Sequence, residues 1–263
     1  MADFTEISAR ENKLVKQVKH LQSSARARRE AGLFVLEGLR ICDDARENGV
    51  VFERFIVSKT AVEKYPEEIK FFAECSLANY VVTDPLFKAI ADTDSPQGIM
   101  AVARIPENNR KPTCHGRYIA LENIADPSNL GAVARTAEAL GVDGIILTDG
   151  GCDPYSPKSL RASMGTLLRM PLFITDDICA LSEECHLRTL ACVPDSGAVH
   201  LGDVQFSDGD VLLIGNEANG LLAHTIEKSD MRVTIPMTGR AESLNAAAAA
   251  AIVMWEMMKG EGI

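Results

Sequence analysis

The chain is poor in the features that announce the commonest cofactor chemistries. No GxGxxG follows a predicted strand and no GxxxxGK[ST] occurs, which disfavours an ordinary dinucleotide fold and a phosphate-binding P-loop. No serine sits in GxSxG, and no Cys/His pairing suggests a nucleophile. The seven cysteines (42, 75, 114, 152, 179, 185, 192) form no CxxC pair, and no histidine pair completes a zinc ligand set. Reduced, mostly buried thiols and no metal are expected. No apolar run approaches the roughly 20 residues of a membrane helix. The first residues lack the apolar core of a secretory signal, so no membrane partner and a cytoplasmic location are expected.

What is present is an ordinary globular composition over 263 residues, 46% hydrophobic and 24% charged, room for one large domain or two small ones. The net charge of −10 is uneven. Residues 8–29 carry seven cations against one carboxylate, +6, which leaves −16 on the rest. A basic patch on an acidic body is compatible with phosphate contacts, although solvated basic helices are common too.

The apolar pattern alternates between strand and helix. In the first half it predicts helices at 12–29, 39–48, 61–74 and 85–92, and strands at 32–38, 52–58, 79–84 and 98–105. Residues 106–117, with two prolines and no periodicity, read as a linker. The second half predicts strands at 118–124, 144–149, 170–175, 188–194, 210–216 and 232–237. Helices are predicted at 129–140, 156–168, 177–186 and 243–259. Its strands are apolar without strict alternation, as in a parallel sheet covered on both faces.

Three stretches in this half carry chemistry. LENIADPSNLGAVARTAEA (121–139) is a strand end, a turn and a helix whose apolar stripe leaves Arg135 outside. It is either a capped helix with a solvent arginine or a site. GNEANG (215–220) follows a buried strand; Glu217 is a turn residue or a site carboxylate, and the glycines suit a loop wrapped on a ligand. IPMTGRAESLN (235–245) ends a strand and opens a helix, with Glu242–Ser243 able to serve as an ordinary cap. The alanines of 246–251 allow close approach within a core or across a subunit interface.

Taken together and in this order, the stretches resemble the SpoU/TrmH-type RNA 2′-O-ribose methyltransferases of the SPOUT (α/β-knot) superfamily. DPSNLGAVARTAEALG, PYSPKSLRASMGTLLRMPL, IGNEANGL and IPMTGRAESLNAAAAAAI resemble that family's methyltransferase motifs. NKLVKQVKHL, ARARRE, GLFVLEG and DTDSPQGIMAV are similar to its small substrate-binding domain. The resemblance implies an RNA substrate-binding domain at 1–105, a linker at 106–117 and a methyltransferase domain at 118–263. The latter would be a parallel sheet threaded into a deep trefoil knot, a rare exception that strand patterning alone would not suggest.

The implied methyl donor is S-adenosyl-L-methionine, held by Gly215, Ile235 and Leu244, with Leu213, Met237 and Asn245 beside them. Arg135 is the implied catalytic residue, with Asn129, Glu217, Ser243 and Asn245 as further polar groups of the site. Lys13, Lys16, Arg26, Arg28 and Arg29 are the expected RNA contacts. The implied assembly is a homodimer and the implied substrate RNA, ribosomal RNA first and transfer RNA as the alternative. A non-catalytic RNA-binding or assembly factor is the competing reading.

Overall fold

The computed structural model describes residues 3–107 and 110–259. Residues 108–109 of the expected linker, and the last four of the chain, lie outside the described residues. Two compact units emerge: Met1–Glu107 with Tyr155–Arg161, and Asn108–Pro154 with Ala162–Ile263.

The first unit contains β1 (Phe4–Ile7), α1 (Lys13–Ser23), α2 (Ala25–Ala31), β2 (Leu33–Glu37), α3 (Leu39–Glu47) and β3 (Phe52–Ser58). It continues with α4 (Lys59–Lys64), α5 (Pro66–Glu74), β4 (Asn79–Val82), α6 (Asp84–Ile90) and β5 (Ile99–Arg104). The strands form one mixed sheet in the order β1-β4-β3-β5-β2. Its core gathers the apolar stripe of α1 (Leu14, Val15, Val18, Leu21) with Val35, Ile56, Phe87 and Met100.

Two predicted helices are each broken in two. The helix expected over 12–29 stops at Ser24, whose backbone is extended while its side chain accepts from Ala27 N to cap α2. The helix expected over 61–74 breaks at Tyr65, because Pro66 disfavours helical backbone in the residue before it and opens α5. β1 shows no strand pattern in the sequence, because only its last residue is buried.

Arg28 requires a correction as an RNA contact. It is 3% exposed, and its guanidinium donates to the backbone carbonyls of Leu21 and Gln22 at the C-terminal end of α1. It satisfies orphan helix carbonyls rather than facing solvent. Lys13, Lys16, Arg26 and Arg29 are exposed. The stretch Tyr155–Arg161 belongs to this unit, with the Tyr155 ring 5.1 Å from Phe34 and Arg161 paired with Asp92.

The second unit runs through β6 (Tyr118–Leu121), α7 (Pro127–Leu140), β7 (Gly144–Thr148), the end of α8 (Pro157–Ala162), a 3-10 turn (Thr166–Leu168), β8 (Leu172–Thr175) and α9 (Ile178–Glu184). After these come β9 (Arg188–Cys192), β10 (Val199–His200), a second 3-10 turn (Leu201–Asp203), β11 (Asp210–Ile214), α10 (Ala223–Lys228), β12 (Met231–Thr234) and α11 (Ala246–Met258). The seven strands are all parallel, in the order β10-β12-β9-β11-β6-β7-β8. β10 and α10 are too short to have shown a period.

The helix expected over 156–168 ends at Ala162, because Met164 and Gly165 adopt left-handed backbone (φ 50° and 85°). Register places Leu121, Ala191 and Ile214 near one another at the carboxyl edge, with Val233 paired to Cys192. The three motifs therefore leave β6, β11 and β12 on the same side of the sheet, where parallel α/β sheets bind ligands.

All seven cysteines are free, and they are less buried than expected: Cys42 is buried, Cys75 and Cys114 are exposed, and the others are half-buried. No described helix is long and apolar enough to cross a membrane.

Candidate active site

The first motif opens with a capped helix. Asp126 Oδ1 accepts from Ser128 N at 2.8 Å, and Pro127 occupies the first turn, where its missing N–H costs nothing. This fixes Asn129, which is 8% exposed, on the inner side of α7. Asn129 Nδ2 donates to Glu217 Oε1 at 2.8 Å, and Asn129 Oδ1 accepts from Asn245 Nδ2 at 3.0 Å. One asparagine thus ties the first motif to both others.

Glu217 is held on several sides. Besides Asn129, it accepts from Ala125 N and Asp126 N at 3.1 Å each and from Asn216 Nδ2 at 3.3 Å. Burial alone would raise its pKa, but the hydrogen bonds from Asn129 and from backbone N–H groups, those of Ala125 and Asp126 included, outweigh it. The carboxyl is held below the usual glutamate range.

The second motif closes on itself. Asn216 and Gly220 exchange backbone hydrogen bonds of 3.0 and 2.9 Å, while Asn216 Oδ1 accepts from Ala218 N and Asn219 N. The loop is so tight that a Cβ on Gly215 would lie 2.1 Å from the backbone of Gly220 and Leu221. Only glycine fits there.

Two further residues, Glu122 and Asn123, complete this scaffold. Glu122, 3% exposed, accepts from Leu222 N at 2.6 Å and Thr225 Oγ1 at 2.5 Å, anchoring the chain as it leaves the loop. Asn123, with left-handed backbone, accepts from Asn216 Nδ2 through its carbonyl at 2.8 Å. A carboxylate ending an apolar strand was the available signal for Glu122. Nothing in the sequence distinguished Asn123.

Around this scaffold lies a cavity of about 400 Å³. Ile235, Met237 and Leu244, three of the expected donor-binding residues, line it, as does Ser243. Leu213 does not line the cavity: its side chain is fully buried in the core with Tyr118, Phe173 and Leu187, and its neighbour Ile214 faces the cavity instead. Strand alternation sends successive side chains to opposite faces. Gly215 and Asn245 are not among the lining residues; each acts on its neighbours, Gly215 by close backbone approach and Asn245 by capping α11. Ala246, Ala249 and Val253 present the small side chains of α11 to the cavity. Cys192 also lines it, its thiol pushed up to about 12 by burial, and is therefore neutral at physiological pH. Among the described residues, no group of three or more His, Cys, Asp or Glu could hold a metal ion.

Arg135 is exposed, and among the described residues its guanidinium makes no hydrogen bond or ion pair. It lies on the face of α7 that also carries Gly131 and Glu138, at helical spacing. Glu138 accepts from Thr166 Oγ1 at 2.9 Å and from Arg169 Nε at 2.6 Å, which fastens that face to the turn after α8.

The sequence signature of the SpoU rRNA Methylase family matches residues 116–255, and that of an MRM3-like substrate binding domain matches residues 12–101. The chain is 32% identical to an uncharacterized tRNA/rRNA methyltransferase of Synechocystis, over 97% of this chain and 94% of the relative. It is 29% identical to the 23S rRNA (guanosine(2553)-2′-O)-methyltransferase RlmP of Bacillus subtilis, over 96% and 98%. Its structure superposes on the AdoMet-bound rRNA methyltransferase of Sinorhizobium meliloti with a TM-score of 0.84 at 28% identity, covering 97% of both chains. Against the SpoU methyltransferase AviRb of Streptomyces viridochromogenes in complex with AdoMet the TM-score is 0.85 at 25% identity, over 95% and 98%. With its parallel α/β-knot class of C-terminal unit and its small α/β N-terminal unit, the chain belongs to the SpoU rRNA methylase family.

Proposed function

We propose that this protein transfers a methyl group from S-adenosylmethionine to a ribose 2′-hydroxyl in RNA, with ribosomal RNA as the substrate class. The observation that carries the reading is the Glu217–Asn129–Asn245 hydrogen-bond relay, which joins three separated motifs beside a cavity; Arg135, on the same helix as Asn129, is not among the residues that line that cavity. The family of the relatives, two of them named for 23S rRNA 2′-O-methylation, supports the substrate class.

The cavity fits the donor. Its volume lies in the range of roughly 300–1,000 Å³ usual for small-molecule sites. Ile235, Leu244, Met237 and Val253 offer apolar surface to a purine, and the ends of β11 and β12 offer backbone groups to its edges. When bound, S-adenosylmethionine supplies an electrophilic methyl on a sulfonium. The chain must then orient the 2′-hydroxyl and manage its proton.

Arg135 is the group available for that. A guanidinium with a pKa above about 12 is a poor base in isolation. Its role is either a fixed cation beside the developing alkoxide or a base assisted by an RNA phosphate. Glu217, with donors from four residues and a lowered pKa, acts as a positioning residue rather than a proton acceptor, and Asn129 with it. Ser243 and Asn245 shape the third loop beside the donor.

Lys13, Lys16, Arg26 and Arg29 of α1 and α2 are proposed to meet RNA phosphates. A homodimer is proposed through α11, whose Ile252 and Trp255 are 42% and 50% exposed beside exposed Ala248 at i, i+4 and i+7 spacing. The cytoplasm is the proposed compartment.

The test is Arg135→Ala, assayed with radiolabelled donor on ribosomal RNA from a strain lacking the gene. Methyl transfer should fall by roughly 10²–10³-fold, with donor affinity by calorimetry nearly unchanged. Full activity would remove Arg135 from catalysis. Wild-type protein without donor affinity would favour a non-catalytic RNA-binding factor.

A further inference from the structure

The turn between α8 and the following 3-10 turn is built unlike its surroundings. Ser163, Gly165 and Thr166 are all buried, and Met164 alone among them projects, 46% exposed. Its backbone is left-handed, φ 50°, directly followed by Gly165 at φ 85°. A long side chain at positive φ is uncommon and persists only where the surroundings over-determine it. Here they do. A Cβ on Gly131 would stand 2.5 Å from Ala162 C and 2.7 Å from Ser163 N, so α7 is pressed against the chain just before Met164. On the other side of the turn, Glu138 binds Thr166 and Arg169.

Gly131, Arg135 and Glu138 share one face of α7. Gly131 lies against Ala162–Ser163 and Glu138 binds Thr166, so the stretch between those two contacts, Met164–Gly165, runs past the level of Arg135 on α7. The fold thus holds an exposed, polarisable apolar side chain on the stretch that passes the level of the arginine, at the cost of an unfavourable backbone, on a turn fastened at both ends.

We propose that Met164 is a substrate-positioning residue: the nucleobase of the target nucleotide rests on its thioether while Arg135 engages the ribose–phosphate. This rests on the 2′-O-methyltransferase reading above. Sequence-specific recognition of RNA targets single-stranded loops and bulges, where an unstacked base exchanges its stacking neighbours for protein surface. Methionine suits this task, because its sulfur packs favourably against aromatic rings and its flexibility tolerates either base size. It would give orientation with little base selectivity.

The experiment compares Met164→Ala, Met164→Gly and Met164→Leu with the wild type. The readouts are methyl transfer to ribosomal RNA from a gene-deletion strain, donor affinity by calorimetry, thermal stability and oligomeric state by light scattering. Met164→Ala and Met164→Gly should lower kcat/KM for RNA by roughly three- to tenfold, with donor affinity unchanged. Met164→Leu should retain most activity. Met164→Gly relaxes the backbone and should be no less stable than the wild type, so its lost activity would not be a folding effect. Undiminished kcat/KM in Met164→Ala and Met164→Gly overturns the proposal. So does a change in oligomeric state, which would make Met164 a subunit contact. If wild-type protein itself transfers no methyl to RNA, the methyltransferase reading fails instead.

Discussion

Asn245 donates from Nδ2 to Oδ1 of Asn129 at 3.0 Å, across 116 residues of chain, while its own Oδ1 accepts from Ala247 N and Ala248 N at the start of α11. One side chain both starts the closing helix and locks it to the first motif. Asn129 cannot turn its amide to compensate, because its Nδ2 is committed to Glu217.

The two jobs of Asn245 separate by substitution. Asn245→Asp keeps the cap acceptor but has no donor for Asn129; thermal stability should change little while donor affinity falls about tenfold, the order of one net hydrogen bond. Asn245→Ala loses both, and should cost a further ~1 kcal/mol of stability from the missing cap. Equal donor affinity in all three proteins would show that the relay does not shape the cavity.

Acid should act through Glu217. Its folded-state pKa is lowered below the ordinary glutamate value of 4.5 by hydrogen bonds that outweigh burial. Its contribution is therefore complete above that value and is lost as pH falls through the folded pKa beneath it. Donor binding followed by calorimetry should hold through mild acid and then drop. Glu217→Gln should bind more weakly at neutral pH and lose that acid limb; an acid limb identical to the wild type would place the titrating group elsewhere.

Glu122 carries the exit of the second motif. Glu122→Ala leaves Leu222 N and Thr225 Oγ1 without an acceptor in a buried setting, at about 1–3 kcal/mol each. Denaturant unfolding should register the loss, and donor affinity should fall with it because Gly220 and Leu221 line the cavity. Glu122→Gln keeps one carbonyl acceptor and should lie between. A stable Glu122→Ala protein with normal donor affinity would leave this carboxylate without a role.

Trp255 tests the subunit contact. If α11 is the dimer face, Trp255→Glu should weaken self-association by about 2 kcal/mol or more, roughly thirtyfold. Light scattering across a dilution series would then show monomer. An unchanged dimer, or a wild-type monomer, would exclude that face as the interface.

Charge neutralisation tests the RNA contacts. Replacing Lys13, Lys16, Arg26 and Arg29 together by Gln should reduce the slope of log affinity against log salt by up to about 3. Arg28→Gln should behave differently, destabilising the α1–α2 turn with little effect on that slope, since its guanidinium serves helix carbonyls. An unaltered slope in the fourfold variant would move the RNA contacts off these helices.

The sequence by itself determined the alternation of strands and helices, the parallel character of the second sheet and the identity of the three motifs. These are local properties: apolar period, capping residues, glycine at tight turns, and order along the chain. It marked Asn129, Glu217 and Asn245 as residues of one site, but not that a single asparagine bridges the other two. Only tertiary structure decided which face each side chain took. Strand alternation removed Leu213 from the cavity and put Ile214 there, and helix packing turned Arg28 inward while leaving Arg29 outside. The left-handed backbones of Asn123 and Met164 were likewise invisible, because asparagine tolerates that conformation without requiring it and methionine does not favour it. They are held by neighbours distant in the chain, Thr148 and Asn216 at Asn123 and Gly131 with Glu138 around Met164.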